Sequence, residues 1–182
     1  MSLKYKFFDK EDLYFVTFTV VKWVDVFTRI GYKDILLDSW RYGHQHKGLQ
    51  IHAWCIMTNH VHLIISSNKE ELSAIMRDMK SFTSTSLKKA IHDNPSESRK
   101  DWMLNIFTEA GMKNNNNINF QLWQQHNHPI LLDSNYLMQQ KLDYIHQNPI
   151  KSGIVEKEED YIYSSARDYC GMPGLIEIDF IE

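Results

Sequence analysis

Two histidines one residue apart, His60 and His62, lie inside the run WCIMTNHVHLII, Trp54 to Ile65. On a β-strand they project side by side from one face, while Val61 points to the other. Val61, Leu63 and Ile65 form an apolar stripe that can be buried as the imidazoles stay accessible. Paired imidazoles are half of a metal site, and they are also something an ordinary half-buried strand can carry, so further ligands decide. Tyr144 and Asn148 stand at i and i+4 in LDYIHQNP, one turn apart on one helix face. Two imidazole nitrogens and an amide oxygen make a mixed site for Mg²⁺ or Mn²⁺, with positions left for the oxygens of a phosphate. A tyrosine beside such a site is a candidate nucleophile, since its pKa of about 10 can be offset by a base or by local positive charge. Attack on a phosphodiester gives a phosphotyrosine that conserves the energy of the broken bond, so a strand can be resealed without ATP. On spacing alone, Tyr144 equally suits a core aromatic and Asn148 an ordinary helix-end residue.

The elements that must position these residues are legible in the surrounding pattern. Asp12 to Phe27, rich in Phe, Val and Thr, reads as a strand with a bend near Lys22. Tyr32 to Gly48 carries Ile35, Leu36 and Trp40 at helical spacing and stops at a glycine. LQIHAWCIMT and the strand from His60 flank a short turn at Thr58 and Asn59, which predicts a hairpin. A second helix follows over residues 68–93, with Asn68 as expected N-cap and Glu71 three residues later. Residues 93–119 are polar and read as a loop insertion, KNNNN above all. FQLWQQHNHPILL reads as a strand, and DSNYLMQQKLDYIHQNP as a helix capped by Asp133 or Ser134 and ending before Pro149. This order predicts an α+β fold: a ferredoxin-like, split βαβ antiparallel sheet with an added C-terminal helix carrying the tyrosine. Two helices would cover the Val61 side and the spare helix the histidine side.

At 182 residues, with 43% hydrophobic and 24% charged, the chain suits one domain over residues 1–182 with a real core. No apolar run approaches the roughly 18–20 residues that cross a membrane, and MSLKYKFFDK lacks a signal peptide's apolar segment, so a cytoplasmic location is expected. Cys55 and Cys170 are isolated, which indicates neither a disulfide framework nor a cysteine zinc site. A net charge of −3 argues against nucleic-acid binding by a general positive field and leaves local patches open. Candidate patches are Arg77 with Lys80, Lys88 with Lys89, and Arg99 with Lys100, each also readable as a solvated helix face.

Together, MTNHVHLII, LWQQ, LDYIHQNPIKSGIV and YIYSSARDY resemble the single-tyrosine HUH transposases, in particular the REP-associated tyrosine transposases and their IS200-like relatives, from about Tyr14 to Tyr169. The resemblance implies a ferredoxin-like sheet bearing His60 and His62 as metal ligands. It makes Tyr144 the nucleophile that cuts single-stranded DNA, with Asn148 where a third polar ligand is expected. The implied cofactor is a divalent cation, Mg²⁺ or Mn²⁺, and the implied partner is single-stranded DNA that forms hairpins. Whether the tyrosine helix serves its own chain or its partner in a homodimer is left open. Arg77, Lys80 and Lys151 are the candidate DNA contacts.

Thr58 stands where many relatives have proline, and the acidic balance leaves open a second reading, a non-catalytic single-stranded nucleic-acid-binding module on the same fold. Trp23, Trp54 and Trp123 are candidate stacking platforms for such a module, and core packing is the expectation for each. A second His-x-His, His126 and His128 in HNHP, lies in a polar stretch ending at proline and reads as a loop or strand edge. Convergence of all four histidines would instead suit zinc and a metal-dependent hydrolase.

Overall fold

A computed structural model describes residues 7–114, 119–125 and 129–181, so the His126/His128 pair lies outside the described residues. Four strands, β1 (Tyr14–Thr19), β2 (Leu49–Ile56), β3 (His60–Ser67) and β4 (Ile130–Leu131), form one antiparallel sheet in the order β2-β3-β1-β4. The helices are α1 (Ile30–Tyr42), α2 (Leu72–Asp93), α3 (Lys100–Met112), α4 (Asn135–Lys151) and the short α5 (Ala166–Tyr169). The βαββαβ succession and the strand order are those of the expected ferredoxin-like sheet, with α4 added.

The β2–β3 hairpin fixes the register of the site. Val61, Leu63 and Ile65 are fully buried, and each such side chain is worth about 1.5–3 kcal/mol when removed from water. A one-residue slip would move all three to the face that carries the histidines and drive both imidazoles under α1 and α2. Trp54 pairs with Leu63 and meets Trp40 of α1 edge to face at 5.6 Å. Phe18 pairs with Val61 and takes the Lys80 ammonium of α2 over its ring at 4.9 Å. Helices α1 and α2 thus cover the Val61 face, and α4 lies on the opposite one, against Phe15 and His62.

Several expectations are corrected. The polar stretch read as a loop insertion contains α3, whose Met103, Phe107 and Gly111 are buried at i, i+4 and i+8. A Cβ at Gly111 would collide with the backbone of Phe120, so glycine lets the returning chain cross the helix closely. The strand expected over residues 120–132 is reduced, among the described residues, to Ile130–Leu131 and a bridge between Trp123 and Val20. Asn68 does not cap α2; Glu71 holds the N-cap position, without a side-chain hydrogen bond. Ser134 does cap α4, its hydroxyl accepting from the Leu137 amide at 3.3 Å. Pro149 lies within α4 and is buried; one lost amide in the last turn is compatible with the helix running on to Lys151, before Gly153 turns the chain at φ 69°.

Candidate active site

The hairpin turn delivers both imidazoles to one face, their ring centroids 4.7 Å apart. Asn59 orients the first. Its amide nitrogen donates to Asp25 Oδ1 at 2.9 Å, so its oxygen is the end that faces His60 Nδ1, at 2.7 Å. His60 Nδ1 therefore carries the proton, and Nε2 presents its lone pair. His62 Nδ1 lies 2.8 Å from Thr17 Oγ1, on the strand opposite it in register. Its Nε2 is buried and has no hydrogen-bond partner among the described residues. A buried, unpaired ring nitrogen is unfavourable, and a cation would satisfy it.

Both imidazoles are held neutral. Burial lowers the pKa of His60, and it lowers that of His62 to about 3, with the neighbouring His60 and Lys141 acting in the same direction. Neutral imidazole is the ligating form, so these histidines stay competent as ligands through the physiological range. No third His, Cys, Asp or Glu joins them among the described residues, which suits a site completed by neutral oxygens. The pair fits a divalent cation.

Helix α4 brings Tyr144 to this pair from its own chain. The Tyr144 ring meets His62 edge to face at 5.1 Å and Phe15 at 5.9 Å, and Phe15 in turn stacks on His62 at 5.4 Å. Tyr144 is 40% exposed, open to a ligand from solvent. Asn148 follows one turn later on the same helix, half-buried, its amide without a hydrogen bond among the described residues. Lys141, three residues before Tyr144, holds its ammonium 4.9 Å from the Phe15 centroid and 5.6 Å from that of Tyr144. Sequence reasoning passed over Lys141, although its i−3 spacing to the tyrosine was available.

The other tyrosines near the motif are occupied elsewhere. Tyr136 is on the same helix but exposed to solvent, with no ring contact to the histidines among the described residues. Tyr161 and Tyr163 are buried; the Tyr161 hydroxyl donates to the Ile56 carbonyl at 2.7 Å, and burial raises the pKa of both. Burial, rather than the acidic stretch before them, is thus the main barrier to ionising these phenols.

The candidate DNA contacts divide. Lys80 is on the sheet face opposite the histidines, donating to the Gln124 carbonyl at 2.9 Å, and burial lowers its pKa to about 8. Arg77, on the same helix, is exposed and paired with Asp78. Lys151 is exposed at the end of α4. Of these, only Lys151 shares the tyrosine helix. Trp54 and Trp123 are core residues as expected, whereas Trp23 is 59% exposed and lies 5.8 Å from the His60 ring.

Among the described residues, no helix is long and apolar enough to cross a membrane. One family model matches the chain, described as transposase IS200-like, over residues 14–109, just over half of the 182. The match runs from β1 through most of α3 and includes His60 and His62; Tyr144 lies beyond it. A solved structure described as a REP-associated tyrosine transposase bound to a REP hairpin superposes with a TM-score of 0.65 at 19% identity, covering 100% of this chain and 92% of that one. At that identity the likeness is one of fold. No curated protein matches the chain. With just over half its length matched, including the strand that carries the histidine pair, the chain belongs to the IS200-like transposase family.

Proposed function

We propose that this protein nicks and rejoins single-stranded DNA through a covalent phosphotyrosine on Tyr144. The observation that carries the reading is the Tyr144 ring at 5.1 Å from a neutral His62 whose Nε2 is buried without a partner. His60 and His62 are the assigned ligands of Mg²⁺ or Mn²⁺, with Asn148 as the polar third ligand. When bound, that cation supplies positive charge to the non-bridging oxygens of the scissile phosphate. Tyr144 gives its phenolic proton to solvent and attacks phosphorus. The phosphotyrosyl bond forms as the bond to one ester oxygen breaks, and that oxygen takes up a proton to leave as a free hydroxyl. Attack by a hydroxyl on the phosphotyrosine reverses the exchange and reseals a strand. Lys141 contributes positive charge beside the same ring. Because α4 packs on its own sheet, the reading has the nucleophile act in cis.

The assigned partner is single-stranded DNA bearing a hairpin, supported by the hairpin in the structural relative's description. Incubation with such DNA and Mn²⁺, followed by a denaturing gel, tests the reading. A covalent adduct is expected from the wild type and none from Tyr144→Phe. Hairpin binding by the wild type without an adduct under either cation would instead leave a non-catalytic binding module.

A further inference from the structure

The segment after β1 is unusual in its backbone. Lys22 and Trp23 are consecutive non-glycine residues with φ of 56° and 55°, in the left-handed region that side chains disfavour. The surrounding structure imposes this conformation. The Val20 amide donates to the Asn59 carbonyl at 2.9 Å and the Val21 amide to the Leu122 carbonyl at 2.8 Å, and Val21 and Val24 are buried on either side. Farther along, Asp25 is held twice: its carboxylate accepts from Asn59, and its carbonyl from Arg99 at 2.8 Å. Arg99 is itself fixed by the buried Glu97.

This scaffold puts a large apolar ring into solvent. Trp23 is 59% exposed, whereas Trp40, Trp54 and Trp123 are buried; Trp102 on α3 is also exposed, but of the two only Trp23 has a ring contact with the histidine pair among the described residues. Its ring lies roughly perpendicular to that of His60, with centroids 5.8 Å apart, so it borders the histidine pair at His60, whereas Tyr144 approaches His62. Lys22, the neighbour of Trp23, lines an open concavity together with Lys113 at the end of α3, Val21 and Ala110. An exposed indole on an anchored, strained backbone, with two lysines in the neighbouring concavity, offers a single strand a surface for a base and charge for its phosphates.

We propose that Trp23 is the stacking platform for an unpaired base next to the scissile phosphate, fixing which phosphate reaches His60 and Tyr144. The inference rests on the proposed strand-cleavage site. It requires the indole face and not a hydrogen bond, so it positions the strand without reading base identity.

The test uses the full-length protein and a synthetic DNA hairpin with single-stranded flanks, in which each unpaired nucleotide is replaced in turn by an abasic site. Affinities are measured in a Tyr144→Phe background, so that they do not depend on cleavage, for Trp23, Trp23→Ala and Trp23→Phe. Loss of one stacked base should weaken binding by about ten-fold. The expected pattern is that one abasic position weakens the Trp23 protein, that Trp23→Ala weakens binding to intact DNA by a similar factor and is indifferent to that lesion, and that Trp23→Phe restores most of the affinity. With Tyr144 present, Trp23→Ala should also spread adducts over neighbouring phosphates. Unchanged affinity for Trp23→Ala, or losses from the lesion and the substitution that multiply, would overturn the inference while leaving the cleavage reading intact. An absent wild-type adduct together with the expected affinity pattern would overturn the cleavage reading alone, and failure to bind any such DNA would overturn both.

Discussion

The ring of Tyr144 stands edge-on to the ring of His62, centroids 5.1 Å apart at 71°, although one comes from α4 and the other from the central hairpin. Phe15 closes the triangle, stacked on His62 and edge-on to Tyr144. The tyrosine is therefore placed by aromatic packing, while its hydroxyl has no hydrogen-bond partner among the described residues.

Tyr144→Phe keeps all three ring contacts and removes only the hydroxyl. Unfolding free energy should change by less than about 0.5 kcal/mol, read from urea denaturation, and hairpin binding should persist. The covalent adduct should vanish. Mapping an adduct in this variant to another tyrosine by mass spectrometry would refute the assignment.

The two histidines should respond differently to truncation. His62 is 3% exposed, stacks on Phe15 and bonds to Thr17, so His62→Ala should cost about 2 kcal/mol of stability as well as activity. His60 is less buried, and His60→Ala should lose Mn²⁺ binding with a smaller loss of stability. Calorimetric titration with Mn²⁺ and thermal melts of both variants separate the two effects. Chelation of the wild type should stop adduct formation without unfolding it, and cleavage by the double variant in chelator would contradict the metal assignment.

Acid should destabilise the fold before it protonates most carboxylates. His146 is buried beside Ser165 Oγ at 2.9 Å, and burial depresses its pKa from 6.5 to about 4. The unfolded chain therefore binds the extra proton first. This contribution is complete above pH 6.5 and is lost as pH falls toward about 4, on the order of 3 kcal/mol in all. His52, held neutral by burial between the Asp179 carbonyl and Ser66, adds in the same direction, as do the buried imidazoles of His60 and His62. Urea denaturation from pH 7 to pH 4 should show the decline, and His146→Gln should make it shallower without removing it.

Glu97 should prove the most sensitive surface-loop carboxylate. Its side chain is fully buried and paired with Arg29 at 2.7 Å and Arg99 at 3.1 Å, while both arginines remain about one-third exposed. Burial alone would raise its pKa, but the two arginines win and hold it at about 2. Glu97→Ala should cost about 2–3 kcal/mol, the partial exposure of the arginines keeping it below the full cost of breaking a buried pair. Because Arg99 also anchors the Asp25 carbonyl, proteolysis in the segment around Trp23 should accelerate in the same variant.

The sequence by itself determined the parts that depend on local period and local chemistry. Alternation around Val61 put both histidines on one face, the Thr58–Asn59 turn made the hairpin, and Ser134 marked the start of the tyrosine helix. Tyr144 and Asn148 were legible as neighbours because helical spacing makes them so. Tertiary structure decided what each face meets. Trp23 looks like Trp54 and Trp123 in a sequence of strand-formers, yet only its anchored, left-handed backbone turns it outward beside His60. Lys80 looks like a groove lysine, but α2 lies on the far side of the sheet and closes it over Phe18. Helix α3 was legible in the apolar run WMLNIF, but the polar stretches on either side, KNNNN above all, hid it; its stability comes from burying Met103 and Phe107 against the core. The same holds for His62: spacing names it, but only the packing of Phe15, Thr17 and Tyr144 around it leaves one ring nitrogen buried and unpaired.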